Sequence, residues 1–284
     1  MTRLPAFTEY LFEGQARNMT NTIELVIEDG IATLYLNRPE KRNAFSDEMR
    51  GLFIDTLMRV SQDKAIRALV LTGRGKGFCA GGDVAGMRKR LESNAGEVAF
   101  NGWTRQQRVH LTQSLLYNMP KPTIAAVHGA ASGLGADTAL ACDFIMAAPS
   151  ASFTWSYINR GLIPDGGGMY FLPRRVGITK AKELIFSGKR VEAEQAISLG
   201  IADRLSSEHT LVQEAQHWAK ELSHGSATAL ALGKSLLNQS MELSASQVFA
   251  MGSQAQGICY SSSEHREAVQ AFLAQVDAKR EQKN

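Results

Sequence analysis

Two glycine-rich turns, residues 76–83 and 129–137, constrain the fold more than any other feature of the sequence. They read Lys-Gly-Phe-Cys-Ala-Gly-Gly-Asp and Gly-Ala-Ala-Ser-Gly-Leu-Gly-Ala-Asp, and each leads from an apolar run into a helix-like pattern. A helix N-terminus offers unpaired backbone N–H groups, and small residues let a ligand oxygen approach them closely. Two such turns, placed face to face, can aim two N–H donors at one carbonyl oxygen and form an oxyanion hole. We therefore expect the rest of the chain to hold them in that arrangement.

The order of the other elements predicts an α/β fold. Two β-rich runs flank Asp29-Gly30, a pair that is typical of a hairpin turn. Strands are predicted at 23–27, 31–36, 67–72, 123–127, 144–148 and 152–155, and helices at 47–60, 105–117, 138–141 and 169–176. Strand, turn, helix and strand in repeated order indicate parallel βαβ units. A third glycine-rich loop, residues 161–168, carries a single acid, Asp165.

The remaining segments suggest how the chain is divided. Residues 84–102 show little apolar periodicity, so we expect a mobile helix and loop there. The C-terminal part is helical in pattern, with helices expected near 210–223, 226–242, 244–260 and 263–278. We therefore predict an N-terminal extension (1–21), a mixed α/β core (22–205) and a helical C-terminal region (206–284).

Composition argues against several classes of function. The 284 residues carry a net charge of +3, which is too weak to suggest nucleic acid or a membrane surface but suits a ligand with several phosphates. Cys79, Cys142 and Cys259 are widely spaced, so we expect no disulfide framework, no metal site and a reducing, cytoplasmic location. No apolar run approaches the ~20 residues of a membrane span, and the first 21 residues resemble neither a secretory signal nor a transit peptide.

Five motifs occur in an order that resembles the crotonase, or enoyl-CoA hydratase/isomerase, superfamily. They are Asn-Arg-Pro-Glu-Lys-Arg-Asn-Ala (37–44), Gly-Phe-Cys-Ala-Gly-Gly-Asp (77–83), Lys-Pro-Thr-Ile-Ala-Ala-Val-His-Gly (121–129), Ala-Cys-Asp-Phe (141–144) and Gly-Leu-Ile-Pro-Asp-Gly-Gly (161–167). The resemblance covers roughly residues 23–275. It implies a crotonase/ClpP-like spiral of ββα units, a helical C-terminal oligomerisation region that forms a homotrimer or a dimer of trimers, and an acyl-CoA thioester as ligand.

The resemblance also implies which residues bind that ligand. By position, the oxyanion donors are the backbone N–H groups of Gly82 and Leu134. Many relatives have glycine at the second position, so the Leu134 side chain must point away from the thioester. The CoA-contacting residues are expected to be Lys41, Arg42, Ala44, Ala80, Gly82, Asp83 and Val84. Coenzyme A enters only as part of the substrate, and no other cofactor is implied.

Three further positions separate the reactions of the family. Hydratases that this chain resembles place glutamates where it has Asp137 and Tyr157, and a tyrosine with a reference pKa near 10 is a poor base. We therefore interpret Tyr157 as a wall of the pocket. Asp165 lies where dienoyl-CoA isomerases, and the ring-epoxide/oxepin isomerases of phenylacetate degradation, carry an aspartate. The latter group often lacks an acid at the position of Asp137, whereas dienoyl-CoA isomerases have one.

These features favour an isomerase that shifts a double bond. In this hypothesis Asp165 moves a proton between carbons, Gly82 and Leu134 hold the enolate, and Asp137 is a second acid/base or orients a water. The first alternative is an enoyl-CoA hydratase of fatty-acid or aromatic-acid degradation, which would use Asp137 with a water held by Tyr157. The second alternative is a non-catalytic CoA-binding or RNA-binding relative, although the only dense cationic runs are 88–90 and 279–280.

Structural roles without chemistry compete with each assignment. Asp137 is also suited to be the charge partner of a helix N-terminus, and Asp165 to cap its glycine-rich turn. Lys41 and Arg42 are also compatible with a solvated loop. The sequence does not distinguish among acyl chains, because residues 84–103, which we expect to shape that pocket, carry no readable pattern.

Overall fold

The computed structural model describes residues 22–281, so the predicted N-terminal extension (1–21) lies outside the described residues. The strands are β1 (Ile23–Glu28), β2 (Ile31–Leu36), β3 (Ala68–Gly73), β4 (Thr123–Val127), β5 (Ala130–Ser132), β6 (Phe144–Ala147), β7 (Ser152–Thr154), β8 (Arg190–Glu192) and β9 (Arg204–Leu205). The helices are α1 (Asp47–Gln62), α2 (Val84–Glu92), α3 (Ala95–Tyr117), α4 (Leu134–Leu140), α5 (Gly168–Val176), α6 (Ile178–Ser187), α7 (Ala193–Leu199), α8 (Leu211–Leu222), α9 (Ala227–Gln239), α10 (Ala245–Ser261) and α11 (Ser263–Glu281). Two 3₁₀ turns span Pro39–Lys41 and Ser156–Arg160.

Two sheets form the mixed α/β part of the molecule. The larger has the strand order β1-β2-β3-β4-β6-β9, and the smaller has the order β5-β7-β8. The β1–β2 pair is the predicted hairpin, with Ile23 opposite Leu36, and both turn residues, Asp29 and Gly30, have positive φ. The other pairs of the larger sheet are parallel. The predicted βαβ order is therefore confirmed.

Both faces of the larger sheet are buried. Leu34 and Leu71 belong to one apolar cluster, while Val70 and Ile124 belong to another. This alternation follows from strand geometry, because successive side chains point to opposite faces. Helix α8 covers the second face with Trp218 and its neighbours. Helices on both faces of a parallel sheet bury its strands completely, which explains why these strands are uniformly apolar in sequence.

Helix α1 begins where the sequence predicts. The Ser46 side chain accepts a hydrogen bond from the backbone N–H of Met49, which caps the helix. Met49, Phe53, Leu57 and Val60 are fully buried and belong to the cluster on the first face of the sheet. Their spacing of three to four residues places them on one stripe of the helix. Capping and periodicity therefore agree at this element.

The expectation for residues 84–102 is wrong in extent. Instead of a single helix followed by a loop, the segment contains α2 and the beginning of α3, which starts at Ala95 rather than near residue 105. The side chains of Asp83 and Asn94 cap the two helices by accepting from the N–H groups of Ala85 and Glu97. Helix stability here comes from caps and local propensity, because little of the segment is buried. These two helices therefore have no stripe of apolar side chains, so a search for apolar periodicity in the sequence does not detect them.

The C-terminal helices form where the sequence predicts them. Helix α8 packs on the larger sheet, whereas α9, α10 and α11 follow one another and contact each other in sequence order. Exposed apolar side chains occur on these three helices, including Leu237, Phe249, Ile258 and Phe272. The division after residue 205 stays a prediction. No helix within residues 22–281 is both long and apolar enough to cross a lipid bilayer.

Candidate active site

The two glycine-rich turns lie face to face, as predicted. The Cys79 N–H donates to the Ala130 carbonyl, and the Ser132 N–H donates to the Cys79 carbonyl, both at 2.9 Å. A Cβ on Gly135 would lie 2.3 Å from the Cys79 carbonyl oxygen, a distance that real Cβ atoms do not adopt. Only glycine therefore allows the start of α4 to approach the first turn so closely.

The two predicted oxyanion donors are available for a ligand. Within residues 22–281, neither the Gly82 N–H nor the Leu134 N–H donates to a protein acceptor. The N–H of Leu134 is free because it opens α4, where intrahelical bonding has not yet begun. A Cβ on Gly81, the residue before Gly82, would lie 3.5 Å from the Leu134 nitrogen, so the two donor segments are adjacent. The Leu134 side chain is nearly buried, with Cδ1 next to Gly166, and its turn away from the ligand stays a prediction.

A cavity of about 660 Å³ opens at these donors. Every residue predicted to contact CoA lines it, namely Lys41, Arg42, Ala44, Ala80, Gly82, Asp83 and Val84. Leu134, Tyr157 and Asp165 line the same cavity. Helix α3 adds Arg105, Gln106 and Val109, which sequence reasoning missed because the segment carries no motif. The volume lies within the usual range of ligand pockets.

Arg38 and Asn43 hold the first loop of the cavity in place. The Arg38 guanidinium donates to the Ala44 carbonyl at 2.6 Å and to Asp83 Oδ2 at 3.0 Å. The Asn43 amide donates to the carbonyls of Arg74 and Gly77. These bonds join the loop to the first glycine-rich turn. Both residues belong to a motif that carries the resemblance, but the sequence did not indicate that they act as supports.

Asp83 has a structural role beside its predicted contact with CoA. Its Oδ1 accepts from the Ala85 N–H and its Oδ2 from Arg38. The hydrogen bond from Ala85, and then the nearby Arg38 cation, hold the pKa of Asp83 below its ordinary value. The carboxylate is therefore charged and already engaged, which makes it a poor candidate for proton transfer.

Asp137 is fully buried and does not line the cavity. Its Oδ1 accepts from Trp155 Nε1 at 3.0 Å, and its Oδ2 accepts from the Tyr157 hydroxyl at 2.6 Å. A Cβ on Gly166 or Gly168 would lie 2.8 Å or 2.4 Å from one carboxylate oxygen, so the third glycine-rich loop closes directly over the group. Burial raises the pKa of Asp137 to about 7, although both hydrogen bonds lower it.

Tyr157 separates Asp137 from the cavity. Its side chain is partly buried, and its ring lines the cavity, as the interpretation of a pocket wall expects. Burial first, and then the neighbouring Asp137 carboxylate, raise the pKa of Tyr157 well above 10. The phenol is therefore protonated and donates to Asp137. No motif predicts this pairing, because the two residues are 20 positions apart and belong to different elements.

Asp165 presents the opposite environment. It lines the cavity, and its carboxylate makes no hydrogen bond to any residue of the described chain, 22–281. Its backbone nitrogen donates to the Ile163 carbonyl at 2.8 Å, and its backbone oxygen lies 3.1 Å from His110 Nε2. The main chain is thus held while the carboxylate stays available to a ligand. The capping role that competes with catalysis is not seen for this side chain.

Cys79 is a packing residue. It is fully buried, and its Sγ lies 3.1 Å from the Asn43 carbonyl oxygen. Burial raises the pKa of the thiol to about 12, so it is not a thiolate nucleophile. Across the described part of the chain, no group of three or more His, Cys, Asp or Glu side chains is arranged to hold a metal ion.

Comparisons with known proteins agree with this geometry. The family described as enoyl-CoA hydratase/isomerase matches residues 26–283. The chain is 37% identical over 248 residues to the 1,2-epoxyphenylacetyl-CoA isomerase of Escherichia coli, covering 87% of this chain and 94% of the relative. It is 32% identical to the crotonyl-CoA hydratase of Syntrophomonas wolfei, covering 87% and 92%. The crystal structure of an enoyl-CoA hydratase/isomerase from Cupriavidus metallidurans superposes with a TM-score of 0.83 at 33% identity, covering 91% and 96%.

We predict that Asp137 makes the free energy of unfolding depend on pH. Because burial raises its pKa from 3.8 to about 7, the folded state keeps a proton at pH values where the unfolded state has released it. The free energy of unfolding therefore falls as pH rises between these two values, by up to about 4 kcal/mol. In Asp137→Asn this contribution to the slope is lost.

Urea unfolding at several pH values from about 4 to 7.5 measures the slope. The control is Asp55→Asn, which replaces an exposed aspartate of α1 and should leave the slope of the wild type. If the free energy of unfolding changed with pH in the same way for wild type and Asp137→Asn, the raised pKa assigned to Asp137 would be contradicted.

Proposed function

Because the chain belongs to the enoyl-CoA hydratase/isomerase family, we propose that it shifts a carbon–carbon double bond within an acyl-CoA thioester. The fold agrees with the expected crotonase type, including the helical C-terminal region, and relatives named hydratase or isomerase support an enzyme of this kind. The observation that carries the choice of isomerase is the contrast between two acids. Asp165 is open to the cavity, whereas Asp137 is sealed behind Tyr157.

The two backbone donors would make the thioester acidic enough to react. When an α-proton leaves, the electron pair of the C–H bond is delocalised onto the thioester oxygen as an enolate. The N–H groups of Gly82 and Leu134 would stabilise that oxygen, and loss of one such donor costs about 3–4 kcal/mol in other enzymes. These donors require no reorganisation, since they have no protein acceptor to leave.

Proton return at a different carbon completes the shift. We assign proton transfer on the carbon skeleton to Asp165, because this residue lines the cavity and its carboxylate has no hydrogen-bond partner in the described chain. Asp137 would be the second acid/base or would orient a water. The relative named 1,2-epoxyphenylacetyl-CoA isomerase supports the isomerase assignment. The acyl group itself is left open.

Hydration is the second candidate, and the relatives named hydratase favour it. Adding water to a double bond needs one group that activates the water and one that handles the α-proton. Here Asp137 would act on a water held by Tyr157. We rank this reaction second because Tyr157 occupies the position of a family glutamate. Nothing observed favours a non-catalytic CoA-binding or RNA-binding protein, and the cytoplasmic location stays a prediction.

Asp165→Asn is expected to lower kcat for the conversion of 3-hexenoyl-CoA by about 100-fold or more, because an amide cannot exchange a proton with a substrate carbon. Mass-neutral conversion, followed by chromatography and mass spectrometry, measures the reaction. Crotonyl-CoA, assayed in parallel for addition of water, reports hydration. Asp55→Asn is again the control, since its exposed side chain lies on α1. Unchanged turnover in Asp165→Asn would remove this residue from the mechanism, and faster hydration than isomerisation by the wild type would favour the second candidate.

Lys41→Ala is expected to weaken binding of the nucleotide part of CoA. Lys41 is exposed at the cavity, and an exposed charge pair contributes up to about 1 kcal/mol. We therefore expect KM for an acyl-CoA to rise about 3- to 5-fold with kcat nearly unchanged. For the matching pantetheine thioester, which lacks the nucleotide, wild type and Lys41→Ala should have the same KM. Lys64→Ala, another exposed lysine, is the control, and an unchanged KM in Lys41→Ala would place the phosphates elsewhere.

We further propose that the chain forms a homotrimer or a dimer of trimers through α9–α11. The exposed apolar side chains on these helices, including Phe249 and Phe272, support an interface. Light scattering should give a mass three or six times the 30.9 kDa of one chain. Phe249→Asp should lower that mass, while Glu267→Asp, a conservative change of an exposed residue on α11, should not. A monomeric wild type would contradict the proposal.

A further inference from the structure

The hydrogen bond between Tyr157 and Asp137 joins the cavity to a buried carboxylate. The Tyr157 hydroxyl lies 2.6 Å from Asp137 Oδ2, and Tyr157 lines the cavity while Asp137 has no exposed surface. We propose that the two residues form a proton relay, in which Tyr157 exchanges protons with the α-carbon of the thioester and Asp137 receives or supplies them through the tyrosine. This inference rests on the proposed function and specifies how Asp137 takes part in it.

The position of the tyrosine suits this role. A Cβ on Gly133 would lie 3.7 Å from Cζ of the Tyr157 ring and 3.9 Å from its hydroxyl oxygen. Gly133 precedes Leu134, whose N–H is the proposed donor to the thioester oxygen. The α-carbon is separated from that oxygen by only the carbonyl carbon. A thioester whose oxygen accepted from the Leu134 N–H would bring its α-carbon to the part of the cavity that Gly133 and Tyr157 line.

The carboxylate is held so that it can work only through the tyrosine. Trp155 Nε1 donates to Oδ1 at 3.0 Å, and the Tyr157 hydroxyl donates to Oδ2. Gly166 and Gly168 cover both oxygens so closely that a Cβ at either position would collide with them. Ligand and water are thus kept away from the carboxylate, and the Tyr157 hydroxyl is its link to the cavity.

The relay balances in protons and charge. As the α-carbon C–H bond breaks, its electron pair passes to the thioester oxygen and its proton bonds to the Tyr157 oxygen. At the same time the original O–H bond of Tyr157 breaks, and that proton bonds to Asp137 Oδ2. The tyrosine is neutral before and after, while Asp137 changes from carboxylate to carboxylic acid. Negative charge moves from the buried site to the oxyanion hole, and no further reactant is needed.

This arrangement divides the two proton transfers of an isomerisation. The relay takes the α-proton, and Asp165, after taking up a proton from solvent, gives it to the more distant carbon, where the original double bond ended. Asp137 then returns the α-proton to solvent through Tyr157. The Tyr157 hydroxyl, hydrogen-bonded to the buried Asp137, would thereby replace the glutamate that hydratases of the family place at this position. The two proton transfers would then use two separate groups, the Tyr157–Asp137 relay and Asp165, rather than one shared base.

Exchange of α-protons with D₂O tests the relay. Butyryl-CoA has no double bond to move, so mass gain on this probe reports α-deprotonation alone, while 3-hexenoyl-CoA reports isomerisation. Tyr157→Phe and Asp137→Asn should each lower exchange on butyryl-CoA by about 100-fold or more. Asp165→Asn should keep that exchange and lose isomerisation. Tyr35→Phe, a tyrosine of β2 that does not line the cavity, is the control and should match the wild type.

A pH profile distinguishes the relay from a merely structural role of Asp137. The titratable groups Tyr157 and Asp165 face Asp137, and Cys79 faces Tyr157. Wild-type exchange should fall below a pH near 7 as Asp137 takes up a proton. The residual exchange in Tyr157→Phe and in Asp137→Asn should not fall below a pH near 7. The double variant should exchange α-protons no more slowly than either single variant. Circular dichroism checks that each variant folds, and Tyr157→Phe keeps the packing of the ring.

The outcomes separate the relay from the proposed function. Exchange that is lost in Tyr157→Phe, without isomerisation by the wild type, supports the relay and overturns the proposed function. Wild-type exchange in Tyr157→Phe, with isomerisation lost in Asp165→Asn, overturns the relay and supports the proposed function. Absence of α-proton exchange in the wild type also overturns the relay.

Discussion

The close backbone contact between the two glycine-rich turns is the constraint on which the site depends. Hydrogen bonds join Cys79 to Ala130 and Ser132, and the absence of a side chain at Gly135 lets α4 start directly against Cys79. Because α4 begins there, the N–H of Leu134 is left without an intrahelical acceptor beside the segment that carries Gly82. The donors are therefore a consequence of chain geometry, and any side chain at Gly135 would move one relative to the other.

The acids of the site show how environment assigns different roles to the same residue type. Asp83 caps a helix and pairs with Arg38, so it stays charged. Asp137 loses all contact with solvent and keeps two hydrogen-bond donors, Trp155 and Tyr157, so burial and hydrogen bonding oppose each other. Asp165 lines the cavity, and its carboxylate has no hydrogen-bond partner in the described residues 22–281. Burying a charged carboxylate lowers the stability of the fold. The burial of Asp137 beneath Gly166 and Gly168 is therefore consistent with a role in proton transfer rather than in stability alone.

Much of the fold follows from local signals in the sequence. The Asp29-Gly30 hairpin, the Ser46 cap and the apolar strands that lead into each glycine-rich turn are all found where they are predicted. Helices α2 and the first turns of α3 were not predicted in full, because exposed helices have no apolar stripe and depend on caps and propensity. The residues proposed to contact CoA were predicted from motif resemblance, and all of them line one cavity.

The sequence by itself indicated the family, the order of most elements and the two turns proposed to supply the oxyanion donors, because these depend on local backbone chemistry. Only the tertiary structure showed that Asp137 is buried behind Tyr157 while Asp165 lines the cavity. Asp137 and Tyr157 lie 20 positions apart, and their 2.6 Å hydrogen bond arises from packing between α4 and the turn after β7. Burial of Asp137 depends on a third segment, at Gly166 and Gly168. Solvent is excluded from Asp137 by segments that are distant in the sequence and meet only in the folded chain. The spacing of residues along the sequence therefore does not predict this burial.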